Sequence, residues 1–126
     1  MEKLTQTNYV DLAEDVIAEK IGRDKRGNIA LTTSKIRTLL SLVNSLYNKV
    51  IHSSNKMLSE EITGDVQYLR LRFAYESGRE KSVKDFVNSA DIANHLKRIE
   101  TRDDLLLFCR YMEALVAYHK FYGGRD

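Results

Sequence analysis

From Leu31 to Lys56 the apolar positions keep a helical beat. At about 100° per residue, Ile36, Leu39, Leu40, Val43, Leu46, Tyr47 and Val50 fall on one arc of about 120°, the stripe of a core-facing amphipathic helix. Thr32 and Thr33 offer N-caps for it. The opposite arc collects Arg37, Thr38, Ser41, Asn44, Ser45, Asn48, Lys49 and His52, all uncharged hydrogen-bonders or cations. A helix of about 24 residues here spans ~36 Å.

The same periodicity places the other elements. Asn8 reads as the N-cap of a first helix running to Gly22, with Val10, Ala13, Val16, Ile17 and Ile21 on its apolar side and Asp11, Glu14 and Asp15 near its positive end. The polar, Gly-bracketed stretch Gly22 to Asn28 reads as a mobile loop. Ser59 caps a third helix with two stripes, Ile62, Val66, Leu69 and Phe73 on one side and Tyr68, Leu71 and Tyr75 on the other. Both stripes ask for burial, so this helix is expected to be sandwiched, with Arg70 and Arg72 flanking the main stripe and Ser77-Gly78 ending it near Arg79. Two capping-box patterns follow. Ser82 to Asp85 opens a short element that buries Phe86 and Val87, breaks near Asp91 and continues through Ile92, Leu96 and Ile99. Thr101 to Asp104 opens a helix that reaches Tyr122 and stops at Gly123-Gly124. Its stripe of Leu105, Phe108, Met112, Leu115, Val116 and His119 is doubled by Leu107, Tyr111, Ala114, Tyr118 and Phe121, which makes it central. The expectation is an all-α, single-domain bundle of about five helices over residues 1–126, with no internal repeat.

Composition supports that class. The 126 residues are 43% hydrophobic and 30% charged, with no Pro, no Trp and six Gly, too few turn residues for a β-sandwich. A single Cys, Cys109, makes no internal disulfide, and the N-terminus lacks the basic and apolar runs of a secretory signal, so a reducing, cytoplasmic setting is expected. No apolar run approaches the roughly 18 residues of a membrane span.

Twenty basic and 18 acidic residues nearly cancel, but they are unevenly placed. Between Lys25 and Ser59 there is no Asp or Glu, while Lys25, Arg26, Lys35, Arg37, Lys49 and Lys56 contribute six positive charges and His52 a potential seventh. Most exposed helices mix signs so that i,i+4 pairs form; a run that forgoes them is either a solvated surface or a footprint for a polyanion. Catalytic readings find less. His52, His95, His119 and Cys109 have no close ligand spacing, so no metal is expected. The Arg four to six residues before a His that marks HEPN-type nucleases is absent, since Arg37, Arg79 and Arg110 lie too far ahead of the three histidines. Glu60-Glu61 and Asp103-Asp104 suit helix N-termini, and no Gly-rich phosphate loop occurs. Neither an enzymatic activity nor a cofactor is expected.

The blocks LTTSKIR (Leu31 to Arg37), LLSLVNSLY (Leu39 to Tyr47), QYLRLRFAYESGRE (Gln67 to Glu80), VKDFV (Val83 to Val87) and RYMEALVAYHKFYGGRD (Arg110 to Asp126) together resemble the small subunit of the type III-A CRISPR-Cas effector, the Csm complex, in a streptococcal-like form. The resemblance covers essentially the whole chain. It implies a non-catalytic helical subunit, present in several copies that pack against one another and against the backbone and large subunits, and lining the channel that holds the crRNA:target RNA duplex. Base pairing then reads sequence, and the protein reads shape and phosphate. Carried onto this chain, the resemblance makes Lys35, Arg37, Lys49 and His52 the foremost RNA-contact candidates. Arg70, Arg72 and Arg79 come next, with Arg70 also a candidate partner for Glu76, and Lys120 and Arg125 follow. The rival reading is a helical protein-interaction module whose acid-free face meets an acidic partner without touching RNA.

Overall fold

Hydroxyl side chains fix where three of the long helices begin. Thr32 Oγ1 accepts from Lys35 N at 3.2 Å, Ser59 Oγ from Ile62 N at 3.1 Å, and Thr101 forms a full capping box with Asp104. The computed structural model describes all 126 residues and is all-α. Its helices are α1 (Tyr9–Asp15), α2 (Thr33–Val50), α3 (Glu60–Arg79), α4 (Lys81–Ser89), α5 (Ile92–Lys97) and α6 (Arg102–Phe121), with a π-helical turn, Val16–Lys20, continuing α1. One core of 27 buried apolar residues draws on every helix. α6 packs between α1 and α2, while α3 lies across α2, α4 and α5. The α2 stripe is buried as expected, with Ile36, Leu39, Val43, Leu46 and Val50 at its centre and Leu40 and Tyr47 half-buried.

Several local expectations give way to longer-range partners. Asn8 does not cap α1; its Oδ1 accepts from Thr5 N at 2.7 Å, knotting the approach to the helix. Val10, in the first turn of α1, is 39% exposed, while the apolar face further along, Ala13, Val16 and Ile17, is buried. Ser82 lies inside α4, which starts one extended residue, Glu80, after α3 ends. Asp85 is thereby free of any capping box and accepts instead from the backbone of Gly22. The Gly22 to Asn28 loop is a hydrogen-bonded turn. Asp24 Oδ1 accepts from Arg26 N and Asn28 N, Arg23 pairs with Ile29, and Gly27 supplies the positive φ of 83°. The bent fourth element is two helices, α4 and α5, separated by Asp91 in the left-handed region at φ 55°. α2 ends at Val50, so it measures ~27 Å rather than the expected ~36 Å. α3 is not sandwiched: Tyr68, Leu71 and Tyr75 are each more than half exposed, as is Phe121 at the end of α6.

Two buried arrangements close the bundle. At one end, His119 is 1% exposed with its Nε2 2.7 Å from the Leu31 carbonyl; a carbonyl only accepts, so Nε2 carries the proton. Gly124 lies flat against that ring, where a Cβ would run into the imidazole. The next residue, Arg125, accepts from Thr33 N at 3.0 Å through its carbonyl. At the other end, His95 packs edge-on to Tyr111 and contacts the Met1 sulfur at 3.0 Å, while the Met1 amino group lies 3.3 Å from Asp91. Burial lowers the His95 pKa to about 4 against the help of Asp91, with Arg98 and the Met1 amine opposing the proton as well. Burial likewise pushes the Cys109 thiol up to about 12.

The His95 ring is therefore neutral when folded, whereas in the unfolded chain it takes up a proton near 6.5. Stability should fall as pH drops from 6.5 towards 4 and level off below, and His95→Gln should flatten that part of the curve; urea melts across the range check it. Gly124→Ala should cost about 1–3 kcal/mol by overpacking the His119 ring. Gly64→Ala, in open space on α3, should be neutral or slightly stabilising in the same melts.

Candidate nucleic-acid interface

The acid-free segment regains carboxylates in three dimensions. α3 runs antiparallel beside α2, and its acids reach the flank of α2 that faces it. Lys49 Nζ lies 2.9 Å from Asp65 and 3.7 Å from Glu61, and the hydrogen bond to Asp65, reinforced by its charge, holds the lysine above its usual pKa. Lys35 lies 3.4 Å from Glu80 at the corner between α3 and α4. Arg37 and His52 have no acidic partner; His52 sits in the turn just past α2. The strongly basic helix face suggested by the sequence thus resolves into one free guanidinium, one exposed imidazole and two lysines partly neutralised from the side.

The α3 arginines point different ways. Arg72 and Arg79 flank the nearly buried Glu76, at 4.0 and 3.7 Å, and the Arg79 guanidinium lies over the Tyr75 ring, 5.6 Å from its centroid. Arg70 bonds Gln67 Oε1 at 2.9 Å rather than Glu76. It lines a groove with Leu71, Val87 and Lys97, whereas Arg72 lines one of about 180 Å³ between α2 and α3 with Leu42, Lys49 and Tyr68. Lys120 and Arg125 are exposed, and the Arg125 backbone is pinned to the start of α2.

The fold consequently gathers one subset of the candidates and separates the rest. Lys35, Arg37, Arg79, Lys120 and Arg125 collect at the end of the bundle where α2 begins and α3 and α6 finish. The 22–28 turn brings Lys25 and Arg26 to the same end, since Arg125 is close enough to help hold the Asp24 carboxyl below its usual pKa, behind the larger effect of the Asn28 backbone N–H. Lys49, His52, Arg70 and Arg72 lie further along. At the α2 N-terminus, Thr32 Oγ1 takes the Lys35 N–H and the Arg125 carbonyl takes that of Thr33.

Between these cations the exposed face of α2 is polar and neutral. Arg37, Ser41, Asn44 and Asn48 follow one another at i, i+4, i+7 and i+11, a row along the helix in which Asn44 is half-buried and the other three are exposed. The Thr38, Ser41 and Ser45 hydroxyls donate to the carbonyls of Ser34, Arg37 and Leu42 at 3.0, 3.0 and 2.9 Å. Asn44 and Asn48 make no side-chain hydrogen bond. The signal of this row in the sequence is the helical spacing of Ser and Asn on the arc opposite the apolar stripe.

No three His, Cys, Asp or Glu side chains converge on a point where a metal ion would sit, and no helix is long and apolar enough to cross a membrane. Residues 7–125 match the family model described as Csm2 Type III-A. Similar proteins are named CRISPR system Cms protein Csm2. One from Streptococcus thermophilus is 52% identical over the full length of both chains. Another from Mycobacterium tuberculosis is 44% identical over 96% of each, and one from Enterococcus italicus is 40% identical over 93% of this chain and 91% of its own.

If α3 carboxylates hold down the basic character of α2, removing them should expose it. Asp65→Asn combined with Glu80→Gln should lengthen retention on a heparin column more than two neutralisations on α1, Asp11→Asn with Asp15→Asn, which change net charge equally.

Proposed function

Since the chain belongs to the Csm2 family of type III-A CRISPR systems, we propose that it is a non-catalytic structural subunit of the interference complex that contacts the backbone of target RNA in the crRNA:target duplex. The observation that carries this reading is the exposed face of α2, which from Ser34 to His52 presents no carboxylate and keeps Arg37 without an acidic partner. The cations gathered around the start of α2 extend that surface to Lys25, Arg26, Lys120 and Arg125, so a polyanion crossing this end meets positive charge from three parts of the chain. Nothing in the set reads base edges, and contact of this kind carries affinity without sequence preference.

The outward stripe of α3 suits the protein side of the assembly. Tyr68, Leu71 and Tyr75 expose an apolar strip on a helix whose opposite face is core, and Phe121 adds a second exposed ring. In this reading copies of the chain and the neighbouring backbone and large subunits cover these residues, while α2 is left to the nucleic acid. The cytoplasmic setting expected from the lone buried thiol fits a guide-RNA complex.

Lys35→Ala with Arg37→Ala tests the division. Neither side chain is in the core, so the melting curve of the free subunit should barely move. Complexes reconstituted with the variant should bind matched target RNA more weakly, about equally for every target that pairs with its guide. Arg37 should account for most of the loss, because Lys35 is already engaged by Glu80. The salt dependence of free-subunit binding to single-stranded RNA should shallow by about 0.7 in log–log slope per phosphate contact removed. A double variant that assembles and binds target as the wild type does would assign this face to a protein partner.

A further inference from the structure

The hydrogen-bonding state of the α2 face specifies what part of a nucleotide it suits. A phosphate oxygen only accepts, and a strip meant for phosphate needs donors. Along this strip Arg37 is the one charged donor of the helix without an acidic partner, because Lys35 and Lys49 are drawn to Glu80 and Asp65. The hydroxyl protons of Thr38, Ser41 and Ser45 are spent on carbonyls of their own helix, so these groups turn lone pairs outward. Asn44 and Asn48, with unengaged carboxamides, offer an acceptor and donors each. An acceptor-rich row with a few amide donors mismatches a run of phosphates and matches a group that both gives and takes a proton. On RNA, that group is the ribose 2′-hydroxyl, presented along the shallow minor groove of an A-form helix and on single strands.

We propose that the row Ser41, Asn44 and Asn48 binds ribose 2′-hydroxyls, so that this face of α2 favours RNA over DNA of the same sequence, with Arg37 supplying the accompanying phosphate contact. The proposal rests on the reading of α2 as an RNA-facing helix and adds the chemical group that it recognises. A lattice of Lys and Arg would attract either nucleic acid; the neutral row is what distinguishes them, since DNA offers a hydrogen atom where RNA offers a donor.

The test uses the full-length free subunit and three fluorescent oligonucleotides of equal length and base, oligo-U, oligo-dU and 2′-O-methyl oligo-U, at one low salt concentration. Wild type should bind oligo-U about three- to tenfold more tightly than oligo-dU, the size expected of one or two net hydrogen bonds. The 2′-O-methyl strand should behave like oligo-dU, because the methyl group removes the proton that the serine and asparagine oxygens accept. Asn44→Ala with Asn48→Ala should cut oligo-U affinity towards that for oligo-dU and leave oligo-dU unchanged, with melting curves showing the fold intact. Arg37→Ala should weaken oligo-U and oligo-dU by the same factor. Equal wild-type affinity for oligo-U and oligo-dU, with the Arg37 effect present, would overturn the ribose assignment and leave the RNA-facing reading standing. Strong binding of the 2′-O-methyl strand would overturn it too, and so would discrimination that survives the double asparagine variant. Failure to bind any of the three strands would remove the RNA-facing reading and the ribose assignment together.

Discussion

A single buried ring holds the basic end of this molecule in place. His119 reaches from the last turn of α6 to the carbonyl of Leu31, one residue before the cap of α2. Because the ring is fully enclosed, leaving that carbonyl or its own N–H unpaired would carry a full desolvation penalty. Gly124 then folds the chain end over the ring, and Arg125 ties it to the first turn of α2. The start of α2, the 22–28 turn and the chain terminus are consequently one unit, and the direction in which α2 presents its polar face follows from a helix on the other side of the core. The hydrogen bond from Gly22 to Asp85 extends the same unit to α4.

A second constraint is electrostatic. The sequence segregates its acids away from residues 25–59, and the fold undoes part of that segregation by laying α3 alongside. Only the flank of α2 that touches α3 is affected, since side chains three and four apart share a side of the helix while those two apart diverge. Lys35 and Lys49 fall on that flank. Arg37 does not.

This contrast explains what could be read in advance. Long helices with strict apolar periodicity were legible, caps included: Thr32, Ser59 and Thr101 all act where their spacing puts them. Short elements were not, because there a distant partner outweighs a local motif. Asp85 leaves its capping box for Gly22, and Asn8 turns to Thr5. The break at Asp91 was visible as a loss of pattern, although the left-handed backbone that makes it was not. Among the RNA-contact candidates, the segregation of charge was readable and the pairing was not, since pairing depends on the register between α2 and α3. The outward stripe of α3 carries a burial signal in the sequence, but inside one chain it has no cover, and an apolar pattern is the same whether its partner is the same molecule or another.

Cys109, enclosed in α6, has one further implication. It is the chain's sole thiol, 1% exposed and with its pKa pushed up to about 12, so almost none of it is thiolate at neutral pH. The natural sequence is thus already silent towards thiol-directed dyes. A cysteine placed on an exposed position away from α2, such as Ala117 on α6, can be labelled alone, with the native residue left where the core packing needs it. Distances between subunits, and their changes as a guide meets its target, then become accessible to fluorescence energy transfer in an otherwise unaltered protein.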